Sequence, residues 1–134
     1  MKIANFLQSC FFTVLLVGCS GDKVPMGGKV TFSDDGSSVP TGIVCFQKPG
    51  FVARGEIGPD GTYVMSSTGT NDGLPPGDYE VFLIGVEKPI PGQSLSVSLI
   101  DDKYGQPQTS GMRIMVDATT KRFDFQVDRA KKKP

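Results

Sequence analysis

The chain holds no histidine, so the commonest general base is missing from it. Its strongest nucleophiles are three thiols, Cys10, Cys19 and Cys45. Cys45 sits in the apolar run Ile43-Val44-Cys45-Phe46, where a thiol behaves as a small hydrophobe and has no base beside it to activate it. No serine occupies a Gly-x-Ser-x-Gly turn, and zinc would require histidines or paired cysteines. Calcium would require clustered oxygens; the local pairs Asp34-Asp35, Asn71-Asp72 and Asp101-Asp102 lack the spacing of a calcium loop and read as turn formers. Glu56, Glu80 and Glu87 fall on strand-like segments, with nothing to arrange two of them across a sugar. The expectation is a non-enzymatic protein with no catalytic residue, no metal and no cofactor. Phe51, between Pro49-Gly50 and Val52, is the one aromatic on an apparent loop tip and the candidate contact for a glycan or peptide.

The remaining chemistry is at the start of the chain. Lys2 is followed by the apolar stretch Phe6 to Val17 (FLQSCFFTVLLV), shorter than the roughly 20 residues that span a bilayer. It reads as an export signal covering residues 1–18. The end of the stretch, Leu16-Val17-Gly18-Cys19, resembles the lipobox of bacterial lipoproteins. That resemblance implies cleavage between Gly18 and Cys19 and a thioether-linked lipid on the Cys19 thiol. One acyl chain holds a protein only marginally at about 0.8 kcal/mol per buried methylene, so the two or three chains on such a cysteine make a durable membrane anchor. The alternative is an ordinary secreted protein with a chance cysteine. By the sorting rule the resemblance imports, Ser20 after the lipidated residue favours the outer membrane. Cys10 would leave with the signal and Cys19 would be acylated, so Cys45 would have no thiol to pair with.

Fourteen Lys and Arg balance fourteen Asp and Glu, so the composition shows none of the basic excess that nucleic-acid binding would need. Removing the signal leaves about 116 residues, the size of one domain that folds without disulfides. Seventeen Gly and ten Pro punctuate runs rich in Val, Ile, Thr and Phe, which favours strands over helices.

Residues 19–27 read as the lipidated cysteine and a flexible tether, 28–128 as one β domain, and 129–134 (RAKKKP) as a basic tail. The tail is a solvated end or, alternatively, a contact for an anionic surface. Strand candidates are Lys29 to Phe32, Gly42 to Gln47, Ala53 to Ile57, Tyr63 to Met65, Asp78 to Val86, Met112 to Val116 and Arg122 to Val127. The third and fourth face each other across Pro59-Asp60-Gly61 as a hairpin, since Gly accepts the positive φ of a tight turn. Asp78 to Val86 is apolar on both faces and should be central. Seven strands without helical periodicity predict two packed antiparallel sheets with Greek-key connections. Lys88 to Gly111, with three prolines, reads as a long docked loop in which Ser94 to Ile100 offers an eighth strand.

The order of several short motifs carries a further resemblance. Gly-Lys-Val-Thr-Phe at 28–32, Ala-Arg-Gly at 53–55, Pro-Asp-Gly-Thr-Tyr at 59–63 and Asp-Gly-Leu-Pro-Pro-Gly-Asp-Tyr-Glu-Val at 72–81 are followed by Lys103-Tyr104, Thr109-Ser110-Gly111 and Phe123-Asp124-Phe125. Together they resemble the small planctomycete-type lipoproteins with a carboxypeptidase regulatory-like, transthyretin-like domain. The resemblance runs over most of 28–127 and implies a seven-stranded prealbumin-like sandwich without an established activity. Transthyretin-like hydrolases depend on histidines, which this chain lacks. Gly61 and Gly77 would then supply turns, Tyr79 would fix a strand corner through its hydroxyl, and Tyr104 would pack the long loop. The functional expectation is a lipid-anchored envelope protein acting as a structural or protein-interaction module, with glycan or peptide binding as the alternative.

Overall fold

A computed structural model describes residues 23–131. The segment read as a signal, the expected cleavage point and Cys19 lie outside the described residues.

The chain is mostly β. Alternation of small or polar with apolar residues drives each main strand: β1 (Gly27–Phe32) buries Gly28, Val30 and Phe32, and β3 (Phe51–Glu56) buries Ala53 and Gly55. With β2 (Ile43–Lys48), β4 (Thr62–Val64), β5 (Gly77–Ile84), β6 (Glu87–Pro89), β7 (Ser96–Ser98), β8 (Met112–Val116) and β9 (Phe125–Val127), the described residues form nine strands. They make a three-stranded sheet ordered β4-β1-β9, a four-stranded sheet ordered β3-β2-β5-β8, and the separate pair β6-β7. The two larger sheets share one core, in which Val30, Phe32, Tyr63 and Val127 meet Val44, Phe46, Tyr79 and Val81. As its two apolar faces require, β5 is interior to its sheet, between β2 and β8.

Pairing is antiparallel except between β1 and β9, which run parallel from Val30↔Phe125 to Phe32↔Val127. The chain therefore enters the domain at one pole and leaves it at the other.

Four sequence expectations change. The packed domain begins within the span read as tether, because Val24 and Met26 are buried and Val24 exchanges backbone hydrogen bonds with Leu74 (2.8 and 3.0 Å). Alternation at Val24, Met26, Gly28 and Val30 extends the β1 pattern past Pro25, the residue that suggested a linker. The hairpin across 59–61 exists only at its two ends. The Gly58 N–H donates to Thr62 (2.9 Å), and Arg54 and Ser66 exchange bonds at 3.0 and 2.8 Å, but between them β3 and β4 part to join different sheets. Ser96–Ser98, inside the suggested eighth strand, pairs with β6 as a projecting hairpin, and the rest of the long loop holds a 3₁₀ turn (Asp102–Gly105) and one helical turn, α1 (Pro107–Ser110). The tail is docked at its start: the Arg129 guanidinium lies 3.8 Å from the Phe32 ring centroid and pairs with Asp34 and Asp35, and Ala130 bonds to Leu99.

The tyrosines behave as expected. The Tyr79 hydroxyl donates to the Pro75 carbonyl at 2.6 Å and closes the corner before β5. Tyr104 is buried and its oxygen accepts the Asp128 N–H at 3.0 Å. Gly61 supplies a φ of +83° in the 58–62 turn, whereas Gly77 is the first residue of β5.

Candidate functional site

Where β3 and β4 diverge, an open groove of about 770 Å³ forms on the outside of the sandwich. Val52, Arg54 and Glu56 project from β3, Thr62 and Val64 from β4, and residues 66–71 close one end. At the floor of the groove Gly55 lets the chain after β4 pass close to β3: a Cβ there would lie 2.9 Å from the Val64 carbonyl oxygen and 2.9 Å from the Met65 sulfur. Val52 and Val64 stay 41% and 48% exposed, two apolar walls beside one cation and one anion. Such a mixture suits an extended polar chain better than a small apolar ligand.

The closing loop is organised by one carboxylate. Asp72 accepts the N–H groups of Ser67 (2.8 Å) and Gly69 (2.8 Å), and Thr68 adds its N–H and hydroxyl at 3.3 and 3.1 Å. The Lys23 ammonium bridges Asp72 and the Thr68 hydroxyl, so the loop also grips the start of the domain. The Lys23 hydrogen bond, followed by the backbone donors, holds the Asp72 carboxyl far below the ordinary 3.8. A lowered carboxyl contributes stability that is complete above the unfolded value and fades as pH falls toward the folded one. Acidification below about pH 4 is therefore expected to loosen this loop late, whereas Asp72→Ala should free it at neutral pH. Hydrogen exchange should show the Ser67 and Gly69 amides losing protection in Asp72→Ala, and unchanged protection would mean that Asp72 does not organise the loop.

Phe51, read as a loop-tip aromatic, is instead the first residue of β3. Pro49-Gly50 turns the chain in two residues, with Gly50 at φ +75°, so Phe51 pairs with Lys48 and packs inward against Tyr79 at a ring distance of 6.2 Å. The Lys48 ammonium lies 5.7 Å from the Phe51 centroid and 5.2 Å from that of Tyr79. Phe51 is therefore placed on the core side of β3, away from the Val52, Arg54 and Glu56 side chains that form the groove. Arg54-Gly55-Glu56 followed by the hydroxyl-rich run 66–71 is the sequence signal for that groove, but only the splitting of the hairpin between two sheets brings the pieces together.

The acidic pairs are committed to turns, caps or ion pairs. Asp35 accepts from the Ser37 hydroxyl and N–H, which lower its carboxyl to about 2, and Asp101 accepts from the Lys103 N–H as a cap. Among the described residues no three His, Cys, Asp or Glu side chains gather in a metal-binding cluster, and no helix is long and apolar enough to cross a membrane.

Cys45 is 1% exposed on the outer face of β2, flanked in register by Arg54 and Phe82. Burial pushes its thiol up to about 11, against a smaller opposing effect of Arg54. Since the thiolate is the reactive form, iodoacetamide at pH 8 should leave Cys45 unmodified in the native protein and alkylate it rapidly in urea. Fast native labelling would contradict its burial.

No protein-family model matches this chain, and neither curated proteins nor solved structures match it.

Proposed function

We propose that this protein is a lipid-anchored, non-enzymatic component of the cell envelope, held by acyl chains on Cys19. Its β domain serves as a structural or protein-interaction module. The observation that carries this reading is the adjacency of two features: the lipobox-like Leu16-Val17-Gly18-Cys19, and a packed domain that already buries Val24. A signal-length apolar stretch, a lipidatable thiol and a domain close behind it are the parts of a surface lipoprotein. Ser20 favours the outer membrane. The three- and four-stranded sheets are read as the seven strands of a Greek-key, prealbumin-like sandwich of the carboxypeptidase regulatory-like kind, with β6-β7 as an addition.

Cys19→Ser tests the anchor. Fractionation of cells should move the protein from membranes to the soluble fraction, and unchanged membrane retention would overturn the reading. Crosslinking in intact cells followed by mass spectrometry should recover a reproducible envelope partner if the domain is an interaction module. Recovery of glycan, or of an exported peptide held at the groove, would favour the second reading, a binding module. The groove itself favours that alternative, since Arg54, Glu56 and the 66–71 hydroxyls can engage an extended polar ligand.

A further inference from the structure

We propose that the pole of the domain built from Lys23, loop 66–73 and turn 117–121 is a contact surface for a lipid bilayer, with the β6-β7 hairpin presented on the opposite pole. This rests on the anchoring of Cys19 proposed above.

The argument begins with the end of the tether. Two backbone hydrogen bonds fasten Val24 to Leu74, and Lys23 is gripped by Asp72 and Thr68. The link from Cys19 to this clamp is four residue steps, which reach at most about 14 Å when fully extended. The clamp thus keeps one specific pole of the domain beside the lipid-bearing residue.

The neighbours of that pole follow from the register. Gly77 pairs with Val116, which places the 117–121 turn beside the 73–76 segment, and Arg122 bridges to Gly27. The groups presented there are polar or charged, exposed Thr70, Asn71, Thr119 and Lys121 with Asp117 capping the turn, and they suit the head-group region. β1 then runs away from the clamp for about 20 Å. Beyond its far end lie Arg129 against Phe32, the bond from Leu99 to Val86, and the β6-β7 hairpin with Leu95 64% exposed. An apolar projection at that pole is aimed away from the anchor.

The test uses the full, lipidated chain with one introduced thiol at a time, Thr70→Cys, Thr119→Cys or Gln93→Cys. Cys45, 1% exposed, stays unlabelled. Each variant carries a small fluorophore and is reconstituted into phosphatidylethanolamine and phosphatidylglycerol vesicles containing a head-group nitroxide lipid. Labels at positions 70 and 119 should lose most of their emission, and the label at 93 should keep its own. Equal quenching at all three sites, or none at any site on protein that floats with the vesicles, would overturn the orientation while leaving the anchor intact. Protein that fails to float would overturn the anchor reading and this one with it.

Discussion

Gly28→Ala is expected to destabilise the domain by about 3 kcal/mol or more, well beyond the ordinary cost of an added methyl group. A Cβ at this position would lie 2.0 Å from the Phe123 carbonyl oxygen and 2.6 Å from its carbon, so the obstacle is backbone, which has no alternative rotamer. Nor can Phe123 retreat easily. Its N–H donates to Gly27 at 2.8 Å, its carbonyl accepts the Tyr63 hydroxyl, and its ring stacks on Phe125 at 5.1 Å and meets Phe46 edge-on at 6.1 Å. Relief therefore requires opening the seam that carries the chain into β9. Gly36→Ala is the control: nothing lies within 4 Å of its Cβ position, and its φ of +72° costs only about 1 kcal/mol for a residue with a side chain. Urea denaturation should separate the two variants clearly. If Gly28→Ala were no worse than Gly36→Ala, the close approach of β1 to Phe123 would be refuted.

The same seam shows what the sequence made legible. Strands were readable where one face had to be buried, because alternation is a local signal: β1, β2, β5 and β8 fall within a residue or two of their expected bounds. Tyr79 was readable for a related reason, since Leu74-Pro75-Pro76-Gly77 places its hydroxyl over a carbonyl that has no strand partner. Partner choice was not local. Nothing in 53–65 states that β3 continues one sheet while β4 crosses to the other; that depends on Gly27 to Lys29 competing for β4. The same holds for the parallel β1-β9 pairing, made between residues 95 positions apart, as in Val30↔Phe125.

The candidate site was less legible than the fold because its parts were read by local polarity. Phe51 beside Pro-Gly looked like a tip, yet a two-residue turn returns it to the sheet at once. Lys23 and Arg129 looked like tether and tail, yet each is held by carboxylates far away in the chain. Long basic side chains can cover apolar rings while keeping the charge wet, as Arg129 does over Phe32 and Lys48 over Tyr79, so charge at a chain end is a poor sign of disorder.

Phe46→Ala is expected to cost about 3–5 kcal/mol, the range for emptying a fully buried aromatic site. Phe46 is 0% exposed at the middle of β2, opposite Ala53 on one neighbour and Val81 on the other. Its ring is 5.9 Å from that of Tyr79 in its own sheet and 6.1 Å from that of Phe123 across the core, so it joins the two sheets. Ala53 and Val81 are too short to fill the space, and Tyr79 is held by its bond to Pro75, so a cavity should persist. The adjacent Cys45 is about as buried but faces the other way, between Arg54 and Phe82, and Cys45→Ala removes only a sulfur, for a cost of about 1 kcal/mol. Thermal melts should place Phe46→Ala well below Cys45→Ala. Equal losses would mean that the inward face of β2 is not the junction between the sheets, because burial alone would then decide the effect and orientation would count for nothing.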